Sequence, residues 1–154
     1  MTQLKIGVVD VFIIDPLPDG WRVLILRRAH GTRCTGAWEV VHGRIEEGER
    51  PEQAAERELH EETGLNASRL YNVTCHPFYL HHTGVVQVAV AFTAFADSSQ
   101  LPALSAEHDL AEWVGVDDAM ERLDWPRSRA CLRDIQLLLR TGDAGPLEDV
   151  LRVK

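Results

Sequence analysis

The stretch that decides the fold runs from Gly43 to Leu65 and reads GRIEEGERPEQAAERELHEETGL. It begins as a loop punctuated by glycine and continues, from near Pro51 to just before Gly64, as a predicted helix. Proline in the first turn and glycine just past the last turn are the usual boundaries of a helix. The segment is rich in glutamate, so the arrangement of its carboxylates on the helix decides what it can bind.

Three glutamates of the predicted helix share one face. At about 100° per residue, Glu58, Glu61 and Glu62 fall within an arc of about 100°, because side chains three and four residues apart are neighbours on a helix. The apolar residues Ala55 and Leu59 lie within or beside the same arc. A solvated acidic helix would carry its carboxylates opposite its apolar residues, and like charges at this spacing cost roughly 0.2–0.5 kcal/mol per pair. A bound cation is the simplest compensation.

Magnesium is the cation that such a face favours. Mg²⁺ prefers carboxylate oxygens and water, and it shares its coordination shell with substrate phosphates. A cation held there would neutralise a diphosphate and lower the pKa of a coordinated water towards the working pH. Mn²⁺ can substitute for it. The competing interpretation is a surface helix that is merely rich in glutamate.

The composition is consistent with a cation-dependent protein. Twenty-four Asp and Glu against sixteen Lys and Arg give the 154 residues a formal net charge of -8, which argues against long nucleic acid or an anionic membrane as partners. No apolar run approaches the roughly 20 residues of a membrane-spanning helix. The three cysteines have no C-x-x-C spacing and predict neither a disulfide framework nor a zinc site, so a reducing cytoplasm is the expected location.

The rest of the chain predicts one α/β domain over residues 1–154. Runs rich in branched and aromatic residues predict strands. These runs cover residues 5–14, 23–26, 39–41, 70–74, 85–95 and 113–116. Two further helices are predicted at residues 117–123 and 129–140. The order of strands, helix, strands and helices indicates a mixed sheet with helices on its faces, and the long apolar run at 85–95 is expected near its centre.

As a pattern, residues 43–65 read G-x₅-E-x₇-R-E-U-x-E-E-x-G-U, where U is a bulky apolar residue, and this resembles the Nudix box of the Nudix hydrolase superfamily. All nine fixed positions are filled. The likeness covers most of the chain, because it extends to a Val-rich first strand and to further residues outside the box. These are Leu24-x-Leu26-Arg27-Arg28, Trp38 and Glu107-His108 followed by Trp113.

The resemblance implies a Nudix fold, an α/β/α sandwich around a mixed sheet, and it implies catalytic roles for the box. Glu61 and Glu62 would be metal ligands, and Glu58 would be a ligand or the general base. Arg57 and Glu49 would form an ion pair that holds the loop against the helix. The two end positions of the box would allow tight backbone turns because both are glycine, Gly43 and Gly64.

Two residues outside the box are candidates for the metal site. Many superfamily members have a second glycine immediately before the box, where this chain has His42. Its imidazole is either an extra metal ligand, a substrate contact or a neutral packed side chain. Glu107, six residues ahead of Trp113, resembles the acidic residue that relatives supply from a loop before the last short strand. It is expected to be a metal ligand or a base, the alternative being an ordinary loop carboxylate.

Candidate substrate contacts are Arg27, Arg28 and Trp38. Because side chains alternate along a strand, one of the two arginines is expected to point into the cleft and pair with phosphate, and the other to be exposed. Trp38 could stack on a base, although aromatic side chains more often belong to the core. Three histidines expected in one loop have no predicted role; they are His76, His81 and His82.

The resemblance implies an enzyme that hydrolyses a diphosphate linkage in a nucleoside diphosphate-like metabolite. A (d)NTP or a pterin triphosphate ranks first, because the tail, with Glu107-His108 and later Leu123-Asp124-Trp125, resembles the dihydroneopterin triphosphate and dATP pyrophosphatase branch. ADP-ribose, a nucleotide sugar or a dinucleoside polyphosphate is the alternative substrate. A non-catalytic module that senses a nucleotide is a different class, against which the intact glutamates of the box argue. Many small members pair up, so a homodimer is a further expectation.

Overall fold

Seven strands and four α-helices make up the fold, in a computed structural model that describes residues 1–154. The strands are β1 (Gln3–Asp15), β2 (Arg22–Arg28), β3 (Trp38–Glu39), β4 (Val41–Arg44), β5 (Arg69–Leu80), β6 (Val85–Phe95) and β7 (His108–Gly115). The helices are α1 (Pro51–Thr63), α2 (Val116–Arg122), α3 (Pro126–Leu138) and α4 (Glu148–Leu151), with a short 3₁₀ helix at Gly145–Leu147. None of the helices combines the length and apolar character needed to cross a membrane.

The strands form one mixed sheet, as the sequence predicts. β6 lies between β1 and β5, parallel to β1 and antiparallel to β5. β1 also pairs antiparallel with β4 and, at its end, with β2. β2 in turn pairs antiparallel with β3 and β7. The long apolar strand β6 therefore has the interior position expected of it.

Helices cover both faces of the sheet because the side chains of β1 alternate. Val11 and Ile13 are buried in a cluster that includes Leu59 of α1, whereas Phe12 and Ile14 are buried in a second cluster with residues of α2 and α3. Successive side chains of a strand point to opposite faces, so the two clusters are two layers of the core. We call these the α1 face and the α3 face. The predicted α/β/α arrangement is confirmed.

Several boundaries differ from the predicted ones because strand pairing extends them. β5 continues past Thr74 to Leu80, paired with β6 along its length. It is an edge strand, so Pro77, which has no N–H to donate, is tolerated within it. β7 begins at His108, five residues before the predicted start, because it pairs with β2 from there onward. The run predicted at 39–41 is split between β3 and β4 by Val40.

Candidate metal and active site

Packing of α1 against the sheet determines which box glutamates turn inward. Leu59 is 1% exposed and Glu62 is 3% exposed, so the helix buries one glutamate together with its apolar residues. The side chain of Glu61 stays 57% exposed. The helix ends at Gly64, whose φ of 71° is left-handed and whose N–H donates to the His60 carbonyl. Glycine is the residue that adopts this conformation at least cost.

Gly43 makes room for Glu58 and does not form the tight turn expected of it. It lies within β4 and pairs with Val9 of β1. A Cβ atom at position 43 would stand 2.0 Å from the carboxyl carbon of Glu58 and 2.3 Å from its Oε1. The Glu58 carboxylate therefore rests directly against the backbone of β4. Any larger residue at position 43 would displace it.

Arg57 joins the loop to the helix, as the resemblance implies. Its Nε and Nη2 donate to the two oxygens of Glu49 at 2.8 and 2.9 Å, and Nη2 also donates to the Arg44 carbonyl at 2.8 Å. These hydrogen bonds lower the pKa of Glu49 to about 2. Nη1 donates to Glu58 Oε1 at 2.7 Å. The same guanidinium thus pins the loop and orients Glu58, as its planar set of donors permits.

A series of neighbouring polar side chains extends from Glu62 along the α1 face of the sheet. His108 Nδ1 lies 4.0 Å from Glu62 Oε2, and His108 Nε2 lies 2.8 Å from Glu39 Oε1. Arg28 Nη1 donates to the same Glu39 oxygen at 3.3 Å. Glu107 adds an exposed carboxylate, and the ligand atoms of Glu62, Glu107 and His108 all lie within 4.8 Å of one another. The structure therefore brings Glu107, predicted only from its distance to a tryptophan, to the box glutamates.

The carboxylates of this site fit a divalent cation. Both oxygens of Glu62 are buried and have no hydrogen-bond partner. Burial and the negative charges of Glu107, Glu58 and Glu39 raise the pKa of Glu62 to about 10. A buried carboxylate without a partner must be protonated or bound to a cation, because an unpaired charge is too costly there. Glu58, Glu62 and Glu107 are the oxygen donors that would hold the ion from within the site, and Glu61 would add a further donor from its exposed rim.

Glu39 and His108 are site residues whose role is not predicted from the sequence. The sequence offers one signal, because Glu39 is a charge inside the apolar run that follows Trp38. A charge in a buried strand needs a partner. That partner, His108, lies 69 residues away along the chain. The spacing of residues within a short segment therefore does not predict the pair.

Of the three alternatives for His42, the structure agrees with the packed side chain and not with the metal ligand, because His42 lies in a different cluster from the glutamates of α1. Because side chains alternate along β4, Gly43 faces α1 and His42 faces α3. Its Nδ1 lies 2.7 Å from Asp10 Oδ1, and Arg127, in the first turn of α3, donates from Nε to Asp10 Oδ2 at 2.9 Å. The ring of Phe78 packs edge-on to His42 and lies 4.1 Å from the Arg127 guanidinium. The imidazole is therefore part of a packed polar cluster on the α3 face.

We expect the Asp10 cluster to stabilise the fold by an amount that acid removes. Burial raises the pKa of Asp10, but hydrogen bonding with His42 and the charge of Arg127 outweigh it and lower the value from 3.8 to about 2. This stabilisation is complete above the pKa of Asp10 in the unfolded chain, and it is lost as the pH falls through the pKa of Asp10 in the folded protein. The shift in pKa corresponds to about 2 kcal/mol of stability. In urea titrations, the wild-type advantage over Asp10→Asn should shrink by that amount between about pH 5 and about pH 2. A constant difference across this range would contradict the assignment.

Strand alternation also separates the two predicted phosphate-binding arginines. Arg28 lies on the α1 face beside Glu39, whereas Arg27 pairs with Asp109 at 2.8 Å with both side chains exposed. Trp38 packs against the core of the α3 face, with the Arg122 guanidinium 4.2 Å from its ring centroid. Of the three predicted substrate contacts, only Arg28 is thus placed beside the glutamates.

The three histidines predicted to share a loop are divided between a strand and a turn. His76 lies within β5, and only His81 and His82 lie in the turn that leads to β6. His82 Nε2 is 2.7 Å from Arg33 Nη1, at the exposed surface. They form no cluster with carboxylates.

Comparison with known proteins establishes the family. The NUDIX domain family matches residues 6–135, and the chain belongs to the Nudix hydrolase superfamily. An octanoyltransferase from Myxococcus xanthus is 39% identical over 114 residues, which cover 73% of this chain and 31% of that protein. The 8-oxo-(d)GTP phosphatase of Mycolicibacterium smegmatis is 36% identical over 99 residues, which cover 62% of this chain and 29% of that protein. The chain thus spans about a third of each of these relatives.

A solved structure supports the same fold. The dihydroneopterin triphosphate pyrophosphohydrolase of E. coli superimposes with a TM-score of 0.69 at 20% sequence identity, covering 89% of this chain and 99% of that chain. At this identity the likeness concerns the fold alone. The activity and substrate of this chain must therefore be argued from its own site.

Proposed function

We propose that this chain is a metal-dependent pyrophosphohydrolase that hydrolyses a diphosphate linkage in a nucleoside diphosphate derivative. The observation that carries the proposal is the buried carboxylate of Glu62, whose oxygens have no partner while Glu58 and Glu107 face it. A folded protein keeps such a cluster where a cation, and through it an anionic substrate, compensates the charge. The likeness of the box to other Nudix sequences supports the same function.

The protein's own cations near the site are already engaged, which supports a role for a bound metal. Arg57 donates to Glu49, Glu58 and a backbone carbonyl. Arg28 donates to Glu39 and to the Arg33 carbonyl. Neither guanidinium is free to neutralise a diphosphate without breaking these bonds. A bound Mg²⁺ or Mn²⁺ would supply that neutralisation and lower the pKa of a coordinated water.

Glu58 is the first candidate for the general base. Burial raises its pKa, and the hydrogen bond and charge of Arg57 oppose that shift. The carboxylate is held between Arg57 and the backbone at Gly43, so it has a fixed direction from which to accept a proton from water. Glu107 is the second candidate, because its carboxylate is exposed and lies beside Glu62.

We expect chelation to abolish turnover. If the metal alone neutralises the diphosphate, EDTA should remove activity and added Mg²⁺ or Mn²⁺ should restore it. The assay is release of pyrophosphate or monophosphate by the dialysed protein before and after each metal is added. Full activity in chelator would mean that protein cations neutralise the substrate instead.

A nucleoside or pterin triphosphate is the proposed substrate. Two observations support it: the tail pattern around Glu107-His108 and Trp125, and a relative whose name is 8-oxo-(d)GTP phosphatase. ADP-ribose, nucleotide sugars and dinucleoside polyphosphates are the alternative class. In all of them the bond broken is a phosphoric anhydride, so the metal site is the same and recognition of the rest of the molecule differs.

A substrate panel tests this choice. The protein with Mg²⁺ is incubated with (d)NTPs, pterin triphosphate, ADP-ribose, nucleotide sugars and dinucleoside polyphosphates, and products are identified by mass spectrometry. We expect a triphosphate to give the highest kcat/KM, with a nucleotide monophosphate and pyrophosphate as products. Tight binding of a nucleotide without any cleavage would instead support a sensing module.

A further inference from the structure

The nitrogen of His108 that faces Glu62 has no partner in the protein. The His108 side chain is 1% exposed, and its Nδ1 atom is buried and makes no hydrogen bond. The nearest charged atom is Glu62 Oε2 at 4.0 Å, which is too far for a hydrogen bond. Two buried acceptors on Glu62 and one unpartnered ring nitrogen therefore face each other across a short gap.

Glu39 determines which nitrogen of the ring carries the proton. Its Oε1 lies 2.8 Å from Nε2 and also accepts a hydrogen bond from Arg28. An ionised carboxylate can only accept, so Nε2 must be the donor, and in the neutral ring Nδ1 then presents a lone pair to Glu62. A carboxylate behind a histidine is the usual arrangement that orients the ring and raises its basicity as a metal ligand.

A β-bulge directs His108 to this side of the sheet. Ala111 and Trp113 of β7 pack on the α1 face, and regular alternation would turn an even-numbered residue such as His108 away from it. The pairing of β7 with β2 shifts register between Arg27 and Arg28, so that Arg28 is opposite His108. One inserted residue reverses the alternation, and bulges commonly redirect side chains beside active sites.

We propose that His108 is a nitrogen ligand of the cation held by Glu62 and Glu107, and that it raises the affinity of the site for Mn²⁺ relative to Mg²⁺. This inference rests on the metal-dependent function proposed above and specifies its ligand set. Ligand atoms about 2.1 Å from an octahedral ion lie roughly 3 to 4.2 Å apart, which brackets the separation between His108 and Glu62. Imidazole nitrogen suits transition-metal ions, whereas Mg²⁺ prefers oxygen. Glu39 is the positioning residue.

Electron spin-echo spectroscopy of the Mn²⁺-loaded protein, without substrate, tests the ligand. We expect nitrogen modulation from a coordinated imidazole in the wild-type protein, altered when histidine is labelled with ¹⁵N and lost in His108→Gln. His42→Gln is the matched control and should retain the modulation, because His42 lies on the α3 face. Glu39→Gln should retain it as well but weaken Mn²⁺ binding by about tenfold or more.

The labelled wild-type protein decides the question even if the buried His108 variant fails to fold. Mn²⁺ bound at the site without nitrogen modulation would overturn the His108 assignment and leave the proposed function standing. Calorimetric titration with Mn²⁺ and Mg²⁺ provides the second readout, in which His108→Gln should lose more affinity for Mn²⁺ than for Mg²⁺. If wild-type protein bound Mn²⁺ no better than Glu62→Gln does, the metal site of the proposed function would fail.

Discussion

Replacement of Glu62 or Glu61 by glutamine is expected to lower turnover by about 10² or more, the scale on which a metal anchor or general base contributes. Glutamine keeps the size of the side chain and removes its charge. Because the Glu62 carboxylate is buried and its oxygens have no protein partner, the amide would leave a bound cation without the negative charge of its most buried ligand. Turnover with a saturating triphosphate and Mg²⁺ is the measurement.

A stability measurement separates this loss of function from a loss of fold. In chelator, Glu62→Gln should unfold at a higher temperature than wild type near neutral pH. The raised pKa of Glu62 means that the metal-free protein must take up a proton at this carboxyl when it folds, a cost that the neutral amide does not carry. Added Mg²⁺ should stabilise wild type and have little effect on the variant. Glu56→Gln, on the solvent side of the same helix with its carboxylate 3.5 Å from Lys154 Nζ, is the control and should retain activity. Near wild-type rates for both site variants would refute the metal-site assignment.

The sequence predicts the parts of this molecule that depend on local spacing. The box places the glutamates on α1, and proline and glycine mark its ends, so helix, loop and carboxylates follow from 23 consecutive residues. The apolar runs likewise predict β1 and β6. The ion pair between Arg57 and Glu49 comes from the family resemblance, and its two partners are eight residues apart.

The features that the sequence does not predict depend on which face of the sheet a strand residue points to, and on contacts between residues far apart in the chain. Whether His42 or Gly43 faces the helix depends on which residue of β4 pairs with β1, and a difference of one residue exchanges the two faces. The bulge in β7 likewise changes the face of the sheet to which His108 points. Asp10 and Arg127 stand 117 positions apart, so their pairing emerges only when β1 and α3 are packed together.

Glu107→Gln should reduce kcat far more than it raises KM, by about 10² in kcat if the carboxylate acts as base or ligand. The structure places this exposed carboxylate beside Glu62 and His108, where, under the proposed function, it would contact a metal-bound diphosphate. A group engaged mainly in the transition state appears in turnover and not in ground-state binding. Steady-state kinetics across a range of substrate concentrations measures both parameters.

Glu112 is the matched control for Glu107, since it is a carboxylate of the same β7 neighbourhood with a different partner. Its Oε2 accepts a hydrogen bond from Arg122 at 2.8 Å, away from the glutamates of α1. Glu112→Gln should therefore leave kcat within about threefold of wild type, less than roughly 0.7 kcal/mol of barrier. If Glu107→Gln has an equally small effect, Glu107 is an ordinary loop carboxylate. The base must then lie in the box, and Glu58, held between Arg57 and the backbone at Gly43, is the residue to replace next.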